Sequence, residues 1–149
     1  MRFWSSFLLV VILDRISKAW VLASFLPGES RIIVEGGIYL TYVQNRGAAF
    51  GLMPGKSWLF FISALLVITA LVVYNWRGKA SPLEALSTGL IAGGALGNLI
   101  DRYFYGFVID FIDLGWWPVF NLADSAIVCG GVLLLILILL DGKREERNA

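Results

Sequence analysis

Four long apolar stretches predict an all-α integral membrane protein, a four-transmembrane-helix bundle with a small extracytoplasmic β-hairpin or sheet. The 149-residue chain is 58% hydrophobic and has a net charge of +1, which is typical of neither a soluble globular domain nor a disordered chain. The stretches cover about residues 3–25, 58–76, 83–103 and 122–140, close to the roughly 20 residues that cross a bilayer as a helix. Residues 1–149 are therefore expected to form a single membrane domain.

The first stretch begins like a secretory signal peptide, because Arg2 precedes the apolar run 7–13. However, the charged residues Asp14, Arg15 and Lys18 follow this run, and apolar residues then resume as far as Phe25. No clear cleavage site of small residues follows. We therefore expect this stretch to be retained as a membrane span.

The segment between the first two spans predicts a β-hairpin. Residues 31–35 and 38–43 are rich in β-branched and aromatic side chains and are joined by Gly36 and Gly37, a turn signal. A hairpin inside hydrocarbon would leave backbone groups without partners, so it should lie on the membrane surface. The run 45–51 that follows is compatible either with a close-packed loop that dips toward the membrane or with a plain surface turn.

Basic residues predict the orientation of the spans. The short segment between the second and third stretches and both ends of the chain together carry six of them: Arg2, Arg77, Lys79, Lys143, Arg144 and Arg147. The positive-inside rule then places both termini in the cytoplasm. The hairpin segment and residues 106–121 are expected on the outer side.

The third stretch combines small and polar residues. Glycines recur every four positions, at Gly89, Gly93 and Gly97, which predicts a face for close helix packing. Asn98 and Arg102 are also four residues apart and share a helix face near the outer end, which indicates a polar cavity. Alternatively, Arg102 extends to the lipid headgroups and Asp101 balances its charge.

Carboxylates are the side chains that remain for catalysis. The chain has no His and only one Cys, which excludes Ser-His-Asp and Cys-His chemistry and any His/Cys zinc site. Asp110 lies at the outer end of the third stretch and Asp124 opens the fourth. Asp14 and Lys18 form an i,i+4 pair, which is costly in a membrane unless it supports a hydrated site.

Each of these groups also has a purely structural interpretation. Asn121 fits the N-cap of the fourth helix, with Asp124 as the acid of its first turn. Asp110 and Asp113 fit solvated loop acids. The joint occurrence favours function, because acids, amides and an arginine from four spans gather at one membrane face.

Five sequence runs together resemble the motif set of the lipoprotein signal peptidase (signal peptidase II) family. They are residues 13–18, 45–51, 93–102, 108–111 and 120–124, they occur in the family's order, and the resemblance covers essentially the whole chain. Two departures lie in the first run, where Arg15 and Ser17 replace the usual Gln or similar residue and Thr. The segment between the last two runs is also short. None of these departures touches the expected catalytic acids.

The resemblance implies a multi-pass aspartyl endopeptidase of the bacterial cytoplasmic (inner) membrane, with its active site on the periplasmic side. It would cleave prolipoproteins just before the diacylglyceryl-modified cysteine. Asp110 and Asp124 match the catalytic pair. Other motif positions match residues that bind substrate or support the site: Asp14, Lys18, Asn45, Gly47, Asn98, Arg102 and Asn121. The expected partners are lipid-modified prolipoproteins and membrane lipids, and no nucleic acid, metal or cofactor is expected. The protein is expected to be a monomer.

Two carboxylates in one cavity suggest an acid–base mechanism. Like charges at close range do not both ionise readily, so one acid keeps its proton and the other activates water. The N-terminus of the fourth helix favours the ionised form of Asp124, so we assign Asp124 as base and Asp110 as acid. The alternatives are a small ion-coupled transporter, which predicts acids nearer the bilayer midplane and internal repeats, and an assembly protein held by its glycine face.

Overall fold

The computed structural model describes residues 1–47, 57–78 and 80–148. Its helices are α1 (Arg2–Ser24), α2 (Ser57–Trp76), α3 (Pro82–Tyr105) and α4 (Leu122–Asn148). Their bounds agree with the predicted stretches to within a few residues, apart from α4, which continues into the charged tail. Helices α2, α3 and α4 are long and apolar enough to cross a membrane. Helix α1 carries Asp14, Arg15 and Lys18 within its length.

Helix α3 is the central element, because it packs against each of the other three helices. Its start is defined by a capping box in which Ser81 and Glu84 exchange side chain–backbone hydrogen bonds, with Pro82 in the first turn. Such a box satisfies two of the N–H groups that a helix N-terminus leaves without partners. The helix ends at Gly106, whose φ of +73° is readily accessible to glycine.

The glycine face of α3 is confirmed as a close-packing surface. A Cβ atom at Gly97 would lie 2.6 Å from Oδ2 of Asp14, and one at Gly93 would lie 2.7 Å from the backbone oxygen of Phe7. Both neighbours belong to α1. Because these glycines have no side chains, α1 lies close enough to α3 for the polar residues of α1 to reach it.

The predicted hairpin is also confirmed. Strand β1 (Ser30–Val34) pairs antiparallel with β2 (Ile38–Asn45), and Gly36 in the connecting turn has a φ of +78°. A third strand, β3 (Val108–Asp113), pairs antiparallel with β2 and completes the sheet in the order β1-β2-β3. The prediction that Asp110 lies at the end of a span is wrong, because α3 ends at Tyr105 and Asp110 lies in the following strand, β3.

The sheet packs on the end of α1 through an apolar cluster of Val21, Phe25, Tyr42, Ile109 and Phe111. Strand register sets Asp110 opposite Val43. Phe120 then bridges back to Ile112 of β3 immediately before α4 begins. This return brings the first turn of α4 beside β3.

Candidate active site

The ends of β2, β3, α3 and α4 surround a cavity of about 640 Å³. Its polar lining contains six of the nine predicted site residues: Asn45, Gly47, Asn98, Arg102, Asp110 and Asp124. Apolar side chains such as Phe120 and Ile127 form other parts of the wall. A mixed cavity with a few convergent polar groups is the usual form of a small-ligand or catalytic site.

Asp110 is almost fully buried, with 1% of its surface exposed. Its two carboxylate oxygens accept hydrogen bonds from Nδ2 of Asn45 at 2.9 Å and from Nδ2 of Asn121 at 2.7 Å. Burial, followed by the neighbouring Asp124 carboxylate, raises the pKa of Asp110 to about 7, although both amides act in the opposite direction. Asp110 is therefore suited to hold a proton near neutral pH.

Asp124 lies in the first turn of α4, and Asn121 precedes that helix. Oδ1 of Asn121 accepts the backbone N–H of Asp124 at 2.9 Å, and Oδ2 of Asp124 accepts the backbone N–H of Asn121 at 3.3 Å. The capping interpretation is thus correct for this pair. It does not exclude a site role, because the other oxygen of Asp124 accepts Nδ2 of Asn98 at 2.7 Å.

Asn121 connects the two acids. Its fully buried amide nitrogen donates to Asp110 and lies 3.1 Å from Oδ1 of Asn98, while its amide oxygen holds the backbone of Asp124. A single side chain therefore fixes the relative positions of Asp110 and Asp124.

Asn45, at the end of β2, is oriented by its own turn. Its Oδ1 accepts the backbone N–H of Gly47 at 3.0 Å, which leaves Nδ2 to donate to Asp110. Asn45 and Gly47, the two predicted site residues of this run, therefore act together on one cavity acid. Positions 48–51 of the same predicted loop lie outside the described residues.

Four charged residues form a second polar group, the ion-pair cluster, which consists of Asp14, Arg15, Lys18 and Asp101. Lys18 Nζ lies 3.0 Å from Asp14 and 2.7 Å from Asp101. Nη2 of Arg15 lies 2.7 Å from Asp14 and 2.8 Å from Asp101. The two carboxylates and Lys18 are at most 1% exposed. The predicted Asp14–Lys18 pair is confirmed as part of this larger cluster.

The ion-pair cluster holds the elements that carry the two cavity acids. Asp14 accepts the backbone N–H of Ala123 at the start of α4 (3.2 Å), and Asp101 accepts that of Ile109 in β3 (3.1 Å). Lys18 donates to Oδ1 of Asn98 at 3.0 Å. The cluster therefore contacts the site through the backbone on both sides and through one amide.

Arg102 faces the cavity, as its spacing from Asn98 predicted. Its guanidinium lies 5.4 Å from the centre of the Phe60 ring, and Nη1 lies 3.5 Å from the backbone oxygen of Asn98. The alternative in which Asp101 balances Arg102 is wrong, because Asp101 pairs with Lys18 and Arg15 instead.

Comparison with known proteins gives the family of the chain. Residues 6–140 match the family model of Signal peptidase (SPase) II. The chain belongs to this family. A lipoprotein signal peptidase of Syntrophomonas wolfei subsp. wolfei is 93% identical over 149 residues, which cover 100% of each chain. A lipoprotein signal peptidase of Halothermothrix orenii is 48% identical over 131 residues, which cover 88% of this chain and 90% of that relative.

The fold of this chain agrees with that of a solved structure. A bacterial membrane enzyme determined by the in meso method at 2.3 Å resolution superimposes with a TM-score of 0.87 and 34% identity. The match covers 93% of this chain and 88% of that one. The chain is therefore a bacterial membrane protein of the peptidase family named above.

Sequence reasoning from the Signal peptidase II motifs missed two members of the ion-pair cluster, Asp101 and Arg15. Asp101 lies within the 93–102 motif, three residues after Asn98, but its neighbour Arg102 suggested a different partner. Arg15 was named as a charged residue of the first stretch and as a departure from the family pattern, but no partner was predicted for it. Its guanidinium also donates to the backbone oxygen of Gly97 at 3.0 Å.

Proposed function

We propose that this chain is a membrane aspartic endopeptidase that removes signal peptides from bacterial prolipoproteins by cleaving before the diacylglyceryl-modified cysteine. Membership of the Signal peptidase II family supports the reaction and the prolipoprotein substrate class. The observation that supports the aspartic mechanism is the arrangement of Asp110 and Asp124, which line one cavity and are both bound by Asn121.

In this mechanism, Asp124 is the base and Asp110 is the acid. A water molecule transfers a proton to Asp124 and attacks the scissile carbonyl carbon, while Asp110 donates its proton to the carbonyl oxygen. In the next step, Asp124 returns its proton to the departing amide nitrogen, and Asp110 recovers its proton as the carbonyl re-forms. The raised pKa of Asp110, about 7, favours the protonated form that this assignment needs.

The positions of the acids favour a peptidase over the ion-coupled transporter. A transporter relay requires ionisable groups near the middle of the bilayer. Asp110 lies on β3 and Asp124 in the first turn of α4, so both belong to the same end of the molecule as the sheet. The acids that lie deeper in α1 and α3, Asp14 and Asp101, are engaged in ion pairs.

We further propose that α1 is a fourth membrane span. Its charged residues Asp14 and Lys18 face the protein interior, whereas apolar residues such as Leu9 and Ile16 are 57% and 62% exposed. Ion pairing inside the bundle removes these charges from contact with lipid, so the apolar outer face suits hydrocarbon. This burial of Asp14 and Lys18 supports the proposal that α1 lies in the bilayer.

Four spans place both termini on the same side of the membrane, and the basic residues near them favour the cytoplasmic side. The sheet and cavity then face the outer side of the inner membrane. Reporter fusions test this topology. Fusions after Arg77 and after Lys143 should report the cytoplasm, and a fusion within residues 29–34 should report the outer side. A periplasmic signal from the fusion after Lys143 would contradict this topology.

The substrate proposal is tested with one peptide in two forms. The acyl chains of a diacylglyceryl cysteine remain in the bilayer and set the depth of the adjoining peptide bond, so purified enzyme should cleave the lipidated peptide and leave the unmodified one largely intact. The Asp110→Asn/Asp124→Asn enzyme, prepared in parallel, controls for contaminating peptidases. Equal turnover of both peptides would contradict the requirement for the lipid.

A further inference from the structure

Lys18 is a buried cation whose hydrogen-bonding capacity is fully used. A lysine ammonium group has three N–H donors, and Nζ of Lys18 has three acceptors: Asp14 at 3.0 Å, Asp101 at 2.7 Å and Oδ1 of Asn98 at 3.0 Å. The first two contacts are ion pairs inside the cluster. The third is directed at a neutral side chain that lines the cavity.

Lys18 is the charged one of two donors that determine which way the Asn98 amide points. Oδ1 of Asn98 accepts from Lys18 and lies 3.1 Å from the amide nitrogen of Asn121, so two donors converge on it. A flipped amide would direct its NH2 group at an ammonium group, with donor facing donor. Nδ2 is consequently directed at Oδ1 of Asp124, at 2.7 Å.

We propose that Lys18 is a positioning residue that acts on Asp124 through Asn98. By fixing the amide oxygen of Asn98, Lys18 makes Asn98 a permanent donor to Asp124, which holds this carboxylate in place as the ionised base. The inference rests on the proposed peptidase mechanism and extends it, because it gives a buried cation that contacts neither cavity acid a part in the reaction.

Arg15 provides a matched control for Lys18. Both cations belong to the ion-pair cluster and both contact Asp14 and Asp101. Among the described contacts, however, the guanidinium of Arg15 reaches the backbone oxygen of Gly97 and not the Asn98 side chain. Lys18→Met and Arg15→Met therefore remove the same charge from the same cluster, and only the first removes the charged donor that holds the Asn98 amide.

A double-mutant cycle on cleavage of the lipidated peptide tests the proposal. Lys18→Met should lower kcat on the order of 10- to 100-fold, the size expected when a reacting group is misplaced, with much less change in KM. Arg15→Met should lower thermal stability but keep kcat near that of the wild type. In an Asn98→Ala background, Lys18→Met should cost little further kcat, since two residues that act in series are not additive.

A second variant covers the case in which Lys18→Met does not fold. Asp14→Asn/Lys18→Met removes one charge of each sign and keeps the cluster neutral, while the amide oxygen introduced at position 14 can still accept the backbone N–H of Ala123. It should fold and show the low kcat of a released Asn98. Recovery of wild-type kcat in this variant, equal kcat losses in Lys18→Met and Arg15→Met, or a full Lys18→Met effect in the Asn98→Ala background would each overturn the proposal. A wild-type enzyme that cleaves no lipidated peptide would instead contradict the proposed function.

Discussion

The ion-pair cluster and the cavity each contain two buried or half-buried aspartates, and their surroundings differ. In the cluster, Asp14 and Asp101 each contact both Lys18 and Arg15. In the cavity, the side-chain hydrogen bonds that fix Asp110 and Asp124 come from neutral amides, those of Asn45, Asn98 and Asn121. One pair is neutralised by cations, and the other is held in position by amides.

This difference shows how one chain uses the same side chain for two purposes. A carboxylate that contacts two cations serves as a fixed acceptor for backbone N–H groups. A carboxylate bound by amides beside a second acid retains its affinity for protons, which is the property that acid–base catalysis requires. The partner, rather than the burial alone, decides which role an aspartate has.

The largest expected effect follows from neutralising the cavity acids. Asp110→Asn and Asp124→Asn should each lower kcat by at least about 1000-fold, because neither amide can exchange a proton in the proposed step. The double variant should lose little more than either single variant, since the two acids carry out one step together. Cleavage of the lipidated peptide by purified enzyme measures all three.

Asp113→Asn is the control for these substitutions. Asp113 accepts hydrogen bonds from Thr41 and from the backbone of Gly115, and it does not line the cavity. The variant should keep most of the wild-type activity. If Asp113→Asn were inactive and Asp110→Asn were active, Asp113 and not Asp110 would be the partner of Asp124.

The stability of the folded protein should depend on pH through Asp110. Burial and Asp124 raise its pKa from an ordinary 3.8 to about 7, so the folded state binds this proton more tightly than the unfolded state. Binding of this proton stabilises the folded state fully below about pH 4. The stabilisation, on the order of 4 kcal/mol in all, is lost as the pH rises through about 7.

Asp110→Asn cannot titrate, so it should unfold like the wild type near pH 4 and become the more stable protein by pH 8. Thermal unfolding in detergent at a series of pH values measures the difference. Parallel curves for the two proteins would show that Asp110 has no raised pKa in the folded state.

A smaller effect is expected at the contact between α3 and the ion-pair cluster. A Cβ atom at Gly97 would lie 2.6 Å from Oδ2 of Asp14, so Gly97→Ala should destabilise the fold by about 1–3 kcal/mol, as overpacking generally does. Gly131→Ala is the matched control, because a Cβ there meets nothing within 4 Å. Equal unfolding temperatures for the two variants would contradict the close packing of α1 on α3.

Much of the fold could be predicted because hydropathy and turn signals act locally. The apolar stretches gave the helices, and Gly36 marked the hairpin. Strand β3 could not be found in this way, because its apolar residues continue the pattern of α3 and its partner strand lies more than 60 residues earlier in the chain. Only the pairing with β2, in which Val43 lies opposite Asp110, makes the segment a strand.

Site residues could be predicted where a polar side chain stands out in an apolar stretch of the sequence. Asp110 and Asp124 were conspicuous in an apolar chain, and Asn98 and Arg102 shared a helix face. Asp101 was misassigned because adjacent helical residues point about 100° apart, so its neighbour Arg102 faces the cavity while Asp101 faces α1. The sequence alone did not reveal that direction, since the position of α1 depends on packing along the whole glycine face.

Asp110 and Asp124 should titrate as an interacting pair. The decisive experiment follows the Asp110 carboxyl carbon by NMR as a function of pH, in the wild type and in Asp124→Asn. The wild type should give a pKa of about 7 for Asp110. The variant should give a lower pKa that still exceeds the ordinary value, because the charge of Asp124 is removed while burial remains. A wild-type pKa near the ordinary value, or the same raised pKa in both proteins, would show that Asp110 and Asp124 do not interact in this way.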